Sequence, residues 1–429
     1  MPPKAKRGAK KKAGGRSKKA TVYLDNNGTT MASKESVSAT TKWLKNHGNP
    51  SATSGRSQEA RKMIDSARAY IRRHCGAPGY RVVFTSGASE SNSLIIRSCV
   101  EAYVRTKKAK AHVLTSLTEH KSVLETCRDM AALGLADISY ISPNIYGCIN
   151  SQVVARSIKS NTCLITIMAA NNELGCINDI AAIGAAAHAA NVPFHSDCVQ
   201  TFGKFRYKLP AMNIDAISMS FHKLYGPMGC GMLVINEDLI SGYKLKGQIA
   251  GSQQGGLRGG TENVPAIAGS VAALKGAFEK RAEKNRRMAS LKKYIITEIG
   301  KKYPITNYPK YVAPSGKTFA RIEIVPLGPK NPKISLPNTL LLSIAKNSGA
   351  PFCNVKLKRG MERAGISVSI GSACNTSSTK ASHVLAAIRA PDVIKRGVIR
   401  ISLCDSSTKA DAAALISTLC KLISAQSKA

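Results

Sequence analysis

Lys223 stands where a charge is costly. The apolar run IDAISM closes at Ser220, and His222 and Lys223 follow it before a Gly-Pro turn. An amine that close to a buried strand end must be paired or have its charge suppressed. A desolvated lysine of this kind can act as the nucleophile in a Schiff base with a carbonyl cofactor. In so basic a chain a surface lysine in a turn is the commoner case, so its partners must decide. Asp197 closes a second apolar run, VPFHSD, and a carboxylate buried there needs a cation. A pyridinium nitrogen is one such cation, and an acid beneath it supports the electron-sink chemistry of pyridoxal phosphate.

Four further motifs carry polar groups at the ends of apolar runs. FTSGASES places small residues, with Ala88 and Ser89, between a strand and a helix, where backbone N–H groups can hold a phosphate. LTEHKS puts His120 at another strand end, and AANNELG supplies the amides of Asn171 and Asn172. GGLRGGTEN offers glycines and Thr261 as a second phosphate-binding edge. Each alone has an ordinary structural reading: a βα turn, a structural histidine, a loop. Their succession, each after a different strand, is what points to one site.

The elements that would position them read as alternating strands and helices. RVVFTS, HVLTS, ISYIS, TCLITIM, VPFHSD, DAISMS and GMLVI are short runs rich in β-branched residues, with helical stretches between several of them. That pattern predicts an α/β layer with a mostly parallel sheet, whose active groups gather at the carboxyl ends of the strands. Helices are expected near 34–46, 54–74 and 119–133, with one long helical region over about 262–299. The proline-rich piece 306–335 reads as an irregular excursion. Strands at LPNTLLLSI and VIRISL and a terminal amphipathic helix follow.

Composition bounds the rest. At 429 residues the chain can hold two or three domains, and no apolar run is long enough for a membrane span. Twelve cysteines without a CxxC pair or His/Cys cluster indicate neither a zinc site nor a disulfide framework. The formal net charge is +38, and residues 1–20 hold nine of the 63 lysines and arginines with no acid. This low-complexity stretch is expected to be disordered, serving as a nuclear-localisation arm, a nucleic-acid-binding arm or a solubilising tail. The basic surplus elsewhere favours polyanionic partners. With no signal peptide in view, an intracellular, reducing setting is expected, in cytoplasm or nucleus, or in a virion if the source is viral.

The pieces YLDNNGTT, GNPS, FTSGASES, TEHKSV, NNELG, SDCVQ, SFHKLYGP, GLRGGTEN, LPNT, GSAC and IRISL together resemble the cysteine desulfurases that serve nitrogenase and iron–sulfur cluster assembly. The resemblance covers about 21–305 and 336–429. It implies pyridoxal-phosphate fold type I: a large domain at 34–281 and a smaller α+β domain at 282–429 that carries the catalytic cysteine loop. The segment 21–33 would join the small domain. It implies that Lys223 carries the cofactor, Asp197 meets the pyridine nitrogen, and Gln200 and Asn172 bond the phenolic oxygen. His120 would stack on the ring and serve as the nearby base. Ala88, Ser89, Ser220 and His222 would hold the phosphate, with Thr261 reaching it from the second subunit of a homodimer. Asn172 and Arg400 would bind the substrate carboxylate, and Cys374 in GSAC would accept the sulfur before passing it to a scaffold or other acceptor protein.

The sequence departs from the family at Gly28, usually alanine, at Met31, usually proline, at Ser54, commonly histidine, and in NTSST after GSAC. Asp405 stands where relatives often carry a basic or aromatic residue. None of these removes a catalytic group. Two other readings stay open on sequence: another fold-type-I activity such as selenocysteine lyase, and a nucleic-acid-associated basic protein built on this scaffold.

Overall fold

The computed structural model describes residues 21–306, 308, 322–346, 352–371 and 382–427. The basic stretch 1–20 and Cys374 lie outside the described residues. The principal sheet has seven strands in the order Tyr80–Thr85, Gly231–Asn236, Ala216–Ser220, Phe194–Asp197, Thr162–Thr166, Ala111–Ser116 and Ala136–Ile141. Six run in one direction and Gly231–Asn236 alone runs in the other. Successive side chains go to opposite faces, and both faces are covered. Val82, Phe84, Met232 and Val234 join one apolar core, while Val83, Leu233 and Ile235 join the other. Burial on both faces explains why these strands read as continuous apolar runs rather than alternating ones.

A second core gathers around a three-stranded antiparallel sheet of Ile322–Leu327, Thr339–Lys346 and Val398–Ser402. Helix Arg281–Gly300 presents Met288, Leu291, Ile295 and Ile299 to it at helical spacing, and Lys409–Ser427 presents Leu415, Leu419 and Ile423. The N-terminal segment belongs to this side. Val22–Tyr23 pairs in parallel with Ile366–Ser367, and Asp25 bridges Ser402.

Two expectations need correction. The helical region at 262–299 is two helices, Val264–Phe278 and Arg281–Gly300, separated where Lys280 takes a left-handed conformation at φ 49°. The piece 306–335 is not wholly irregular, because it contains the strand Ile322–Leu327. Pro326 is tolerated there because the strand lies at the sheet edge, where a missing N–H costs no ladder bond. No helix among the described residues is long and apolar enough to cross a membrane.

Candidate active site

The carboxyl ends of the parallel strands open onto a cleft of about 580 Å³. Ala88, Ser89, His120, Asn172, Asp197, Gln200, Ser220, His222 and Lys223 all line it, with Asn27, Gly28, Met168 and Met228 among the remaining wall. These residues come from six segments that are remote in sequence, and the fold brings them together.

One end of the cleft is an anion cradle. Helix Ala88–Lys107 starts after Gly87 with no side-chain cap, so its first N–H groups face the cleft uncovered. Close approach of backbone makes the cradle. A Cβ on Gly231 would lie 2.4 Å from the Gly87 Cα, and one on Gly87 would lie 3.5 Å from the Ser220 Oγ. His222 stands beside it, its Nδ1 3.0 Å from the Thr29 hydroxyl. Burial first, and the Lys223 charge second, lower its pKa to about 4, so the ring is neutral near pH 7.

The middle of the cleft holds the carboxylate. Asn92 donates to Asp197 Oδ2 at 2.8 Å, and the Val199 N–H donates to Oδ1 at 3.0 Å. Asn92 also donates to Ser122, while its buried Oδ1 has no partner. Lys223 donates to the Asn27 carbonyl at 2.7 Å and also to that of Gly28. Desolvation, then Arg400, lowers the Lys223 pKa to about 8, with Asp25 and Asp197 pulling the other way. His120 opens on the cleft, yet desolvation by the protein behind it holds its pKa below the usual value. Asp197 opposes this shift and Lys223 reinforces it.

Arg400 approaches from the smaller sheet and is 5% exposed. Its guanidinium donates to Asp25 Oδ1 at 2.7 Å and to the Asn172 carbonyl at 3.1 Å, leaving Nε buried without a partner. Thr261 is exposed and is not in the wall of this chain's cleft. Its expected contact with the phosphate would therefore have to reach a second copy of the chain.

Sequence reasoning missed three contributors. Asn92 lies one turn into the helix that follows the phosphate turn, and that proximity was the only local signal. Asn27 donates to the Asn172 carbonyl at 3.0 Å and to Thr339 Oγ1 at 2.8 Å, and accepts from Asn338 at 2.9 Å, so it ties the cleft to the smaller sheet. Asp25 pairs with Arg400 across almost the whole chain. Among the described residues no cluster of three or more His, Cys, Asp or Glu could hold a metal ion.

The residues fit pyridoxal phosphate. An uncapped helix start suits a dianion, a hydrogen-bonded carboxylate suits a ring nitrogen, and an amine with a suppressed charge suits an aldehyde. Fold and site thus define a pyridoxal-phosphate-dependent transferase, and the Aminotransferase class-V family model matches residues 22–326. The cysteine desulfurase IscS of Dictyoglomus turgidum is 35% identical over 393 residues, 91% of each chain. That of Methanosarcina thermophila is 33% identical, covering 91% of this chain and 89% of its own. A solved NifS-like protein superposes with a TM-score of 0.80 at 28% identity, covering 94% of this chain and all of its own. The structure of SspA in complex with cysteine gives 0.73 at 33%, covering 90% of this chain and all of its own. The chain belongs to the cysteine desulfurase family.

Proposed function

We propose that the chain takes sulfur from L-cysteine, releases L-alanine and holds the sulfur as a persulfide on Cys374 for delivery to an acceptor protein. The observation that carries this is the meeting of the Lys223 amine, the Asp197 carboxylate and the uncapped helix start in one cleft. When bound, pyridoxal phosphate supplies the sink for the electron pair left at the substrate's α-carbon.

The chain's residues do the rest. Arg400, whose guanidinium donates to the carbonyl of the cleft-wall residue Asn172, grips the substrate carboxylate as a rigid fork. Lys223, with a pKa of about 8, exchanges its proton readily near neutrality and so serves as the base at the α-carbon. His120 is held neutral and can accept the thiol proton. The thiol of Cys374 bonds to the substrate sulfur as the carbon–sulfur bond breaks, and a proton completes alanine. Cys374 takes this role from the GSAC resemblance.

The exposed position of Thr261 supports a homodimer in which each copy completes the other's phosphate edge. Iron–sulfur assembly or thio-modification would consume the persulfide. The basic surplus supports contact with a polyanion such as nucleic acid, and the eleven free thiols among the described residues suit a reducing compartment.

Absorption spectroscopy with alanine assay tests the core of the reading. The loaded protein is expected to be yellow, to change spectrum with cysteine and to release alanine. Lys223→Ala should lose colour and turnover together, whereas Cys374→Ala should keep colour and form no persulfide. Undiminished alanine release by Lys223→Ala would refute the assignment.

A further inference from the structure

Cys148 and Cys176 lie outside the chemistry above, yet the fold sets them side by side. Residues 147–149 run along residues 176–178. The Ile149 N–H donates to Asn178 Oδ1 at 2.8 Å, and the Cys148 thiol lies 3.8 Å from the Ile177 carbonyl. A Cβ on Gly147 would come within 2.9 Å of the Cys176 sulfur. The two thiols are close enough for each to shift the other's titration. Cys148 is half-buried and open to reagents, while Cys176 is wholly buried behind it.

We infer that Cys148 and Cys176 form a reversible disulfide site that reacts with small-molecule disulfides. Cys148 is the attacking thiol. The Cys176 thiol beside it holds its pKa below the ordinary thiol value, whereas Cys148 and burial push Cys176 well above it. Burial likewise raises Cys75, Cys99, Cys127, Cys163, Cys198, Cys230 and Cys420, which leaves them inert. The Cys148 thiolate attacks one sulfur of the small disulfide and expels the other half as a thiolate. Cys176 then gives up its proton and attacks the Cys148 sulfur, expelling the second half. Two protein thiols are oxidised, one small disulfide is reduced to two thiols, and the protons pass to the expelled thiolates.

The bond would fall on a segment that matters to the cleft. Residues 170–177 form a hairpin closed by the Ala170–Ile177 bridge and by the Asn171 N–H bonding the Cys176 carbonyl at 2.9 Å. Its tip carries Asn172, whose carbonyl receives Arg400, and Glu173, which accepts from Ser382 Oγ at 2.7 Å. A disulfide of about 2.05 Å draws the sulfurs together and ties the base of this hairpin to the turn at 144–148.

The test treats the full-length holoprotein with oxidised glutathione, quenches by alkylation under denaturing conditions and maps cysteines by mass spectrometry. A Cys353→Ser background removes an exposed competing thiol. The expected result is loss of labelling at both Cys148 and Cys176, a peptide cross-linked between them, and recovery of both on reduction. In Cys176→Ser the glutathione adduct should persist on Cys148, and in Cys148→Ser Cys176 should label as in untreated protein. Glutathione retained on Cys148 beside a free Cys176, in protein whose Cys176 is intact, would overturn the inference. So would unchanged labelling of both.

Discussion

Lys223 shows how burial turns a common residue into a reagent. A lysine in water keeps its proton to about pH 10.4, whereas desolvation and the nearby Arg400 bring this one to about 8. The free amine is the nucleophile, so its fraction grows as pH rises through the lowered value. Capture of pyridoxal phosphate by the apo-protein should therefore speed up with a midpoint near pH 8, followed by stopped-flow absorbance. A rate still climbing in proportion to hydroxide well above that pH would show an unshifted amine. Asn92 acts through Asp197, to which it donates one of two hydrogen bonds. A bond to a charged group contributes about 1.5–3 kcal/mol, so Asn92→Ala should weaken cofactor binding by about tenfold to a hundredfold in an equilibrium titration. An unchanged dissociation constant would remove Asn92 from the site. Lys223 and Asp197 were legible in sequence because a lone charge at the end of an apolar run is conspicuous. Asn92, Asn27 and Asp25 were not, because their partners lie 105, 312 and 375 residues away.

At the scale of elements, the anion cradle depends on how closely the reversed strand Gly231–Asn236 passes the start of helix Ala88–Lys107. A methyl at position 231 would push the strand from the helix, an overpacking that costs about 1–3 kcal/mol. Gly231→Ala should lower the melting temperature and weaken cofactor binding together. Gly79→Ala, where an added methyl meets nothing within 4 Å, should do neither. Equal melting curves for both variants would show that the close approach is not needed. The main strands were legible because β-branched runs bounded by turns have few other uses. Neither the reversal of one strand nor the break at Lys280 was, since both depend on what packs against the chain. The proline in Ile322–Leu327 hid an edge strand, because sequence does not say which side of a strand has no neighbour.

At the scale of the molecule, Thr261 is the expected phosphate contact that does not reach the cleft wall of its own chain among the described residues. Light scattering of the holoprotein should therefore give twice the chain mass of 45.6 kDa, read at moderate salt so that a net charge of +38 does not distort it. A fully active monomer would exclude Thr261 from the phosphate site. The two-sheet plan was largely legible, since alternating elements and the order of the motifs both pointed to it. The resemblance implied that 21–33 joins the small domain, but the partners that stitch it there were not legible in sequence. Val22–Tyr23 lies along Ile366–Ser367, Asp25 reaches Arg400, and the carbonyls of Asn27 and Gly28 hold the Lys223 amine. A ribosome must deliver the strand Val398–Ser402 before Asp25 has its partner. A nascent chain that stops short of Arg400 therefore cannot present a finished pocket.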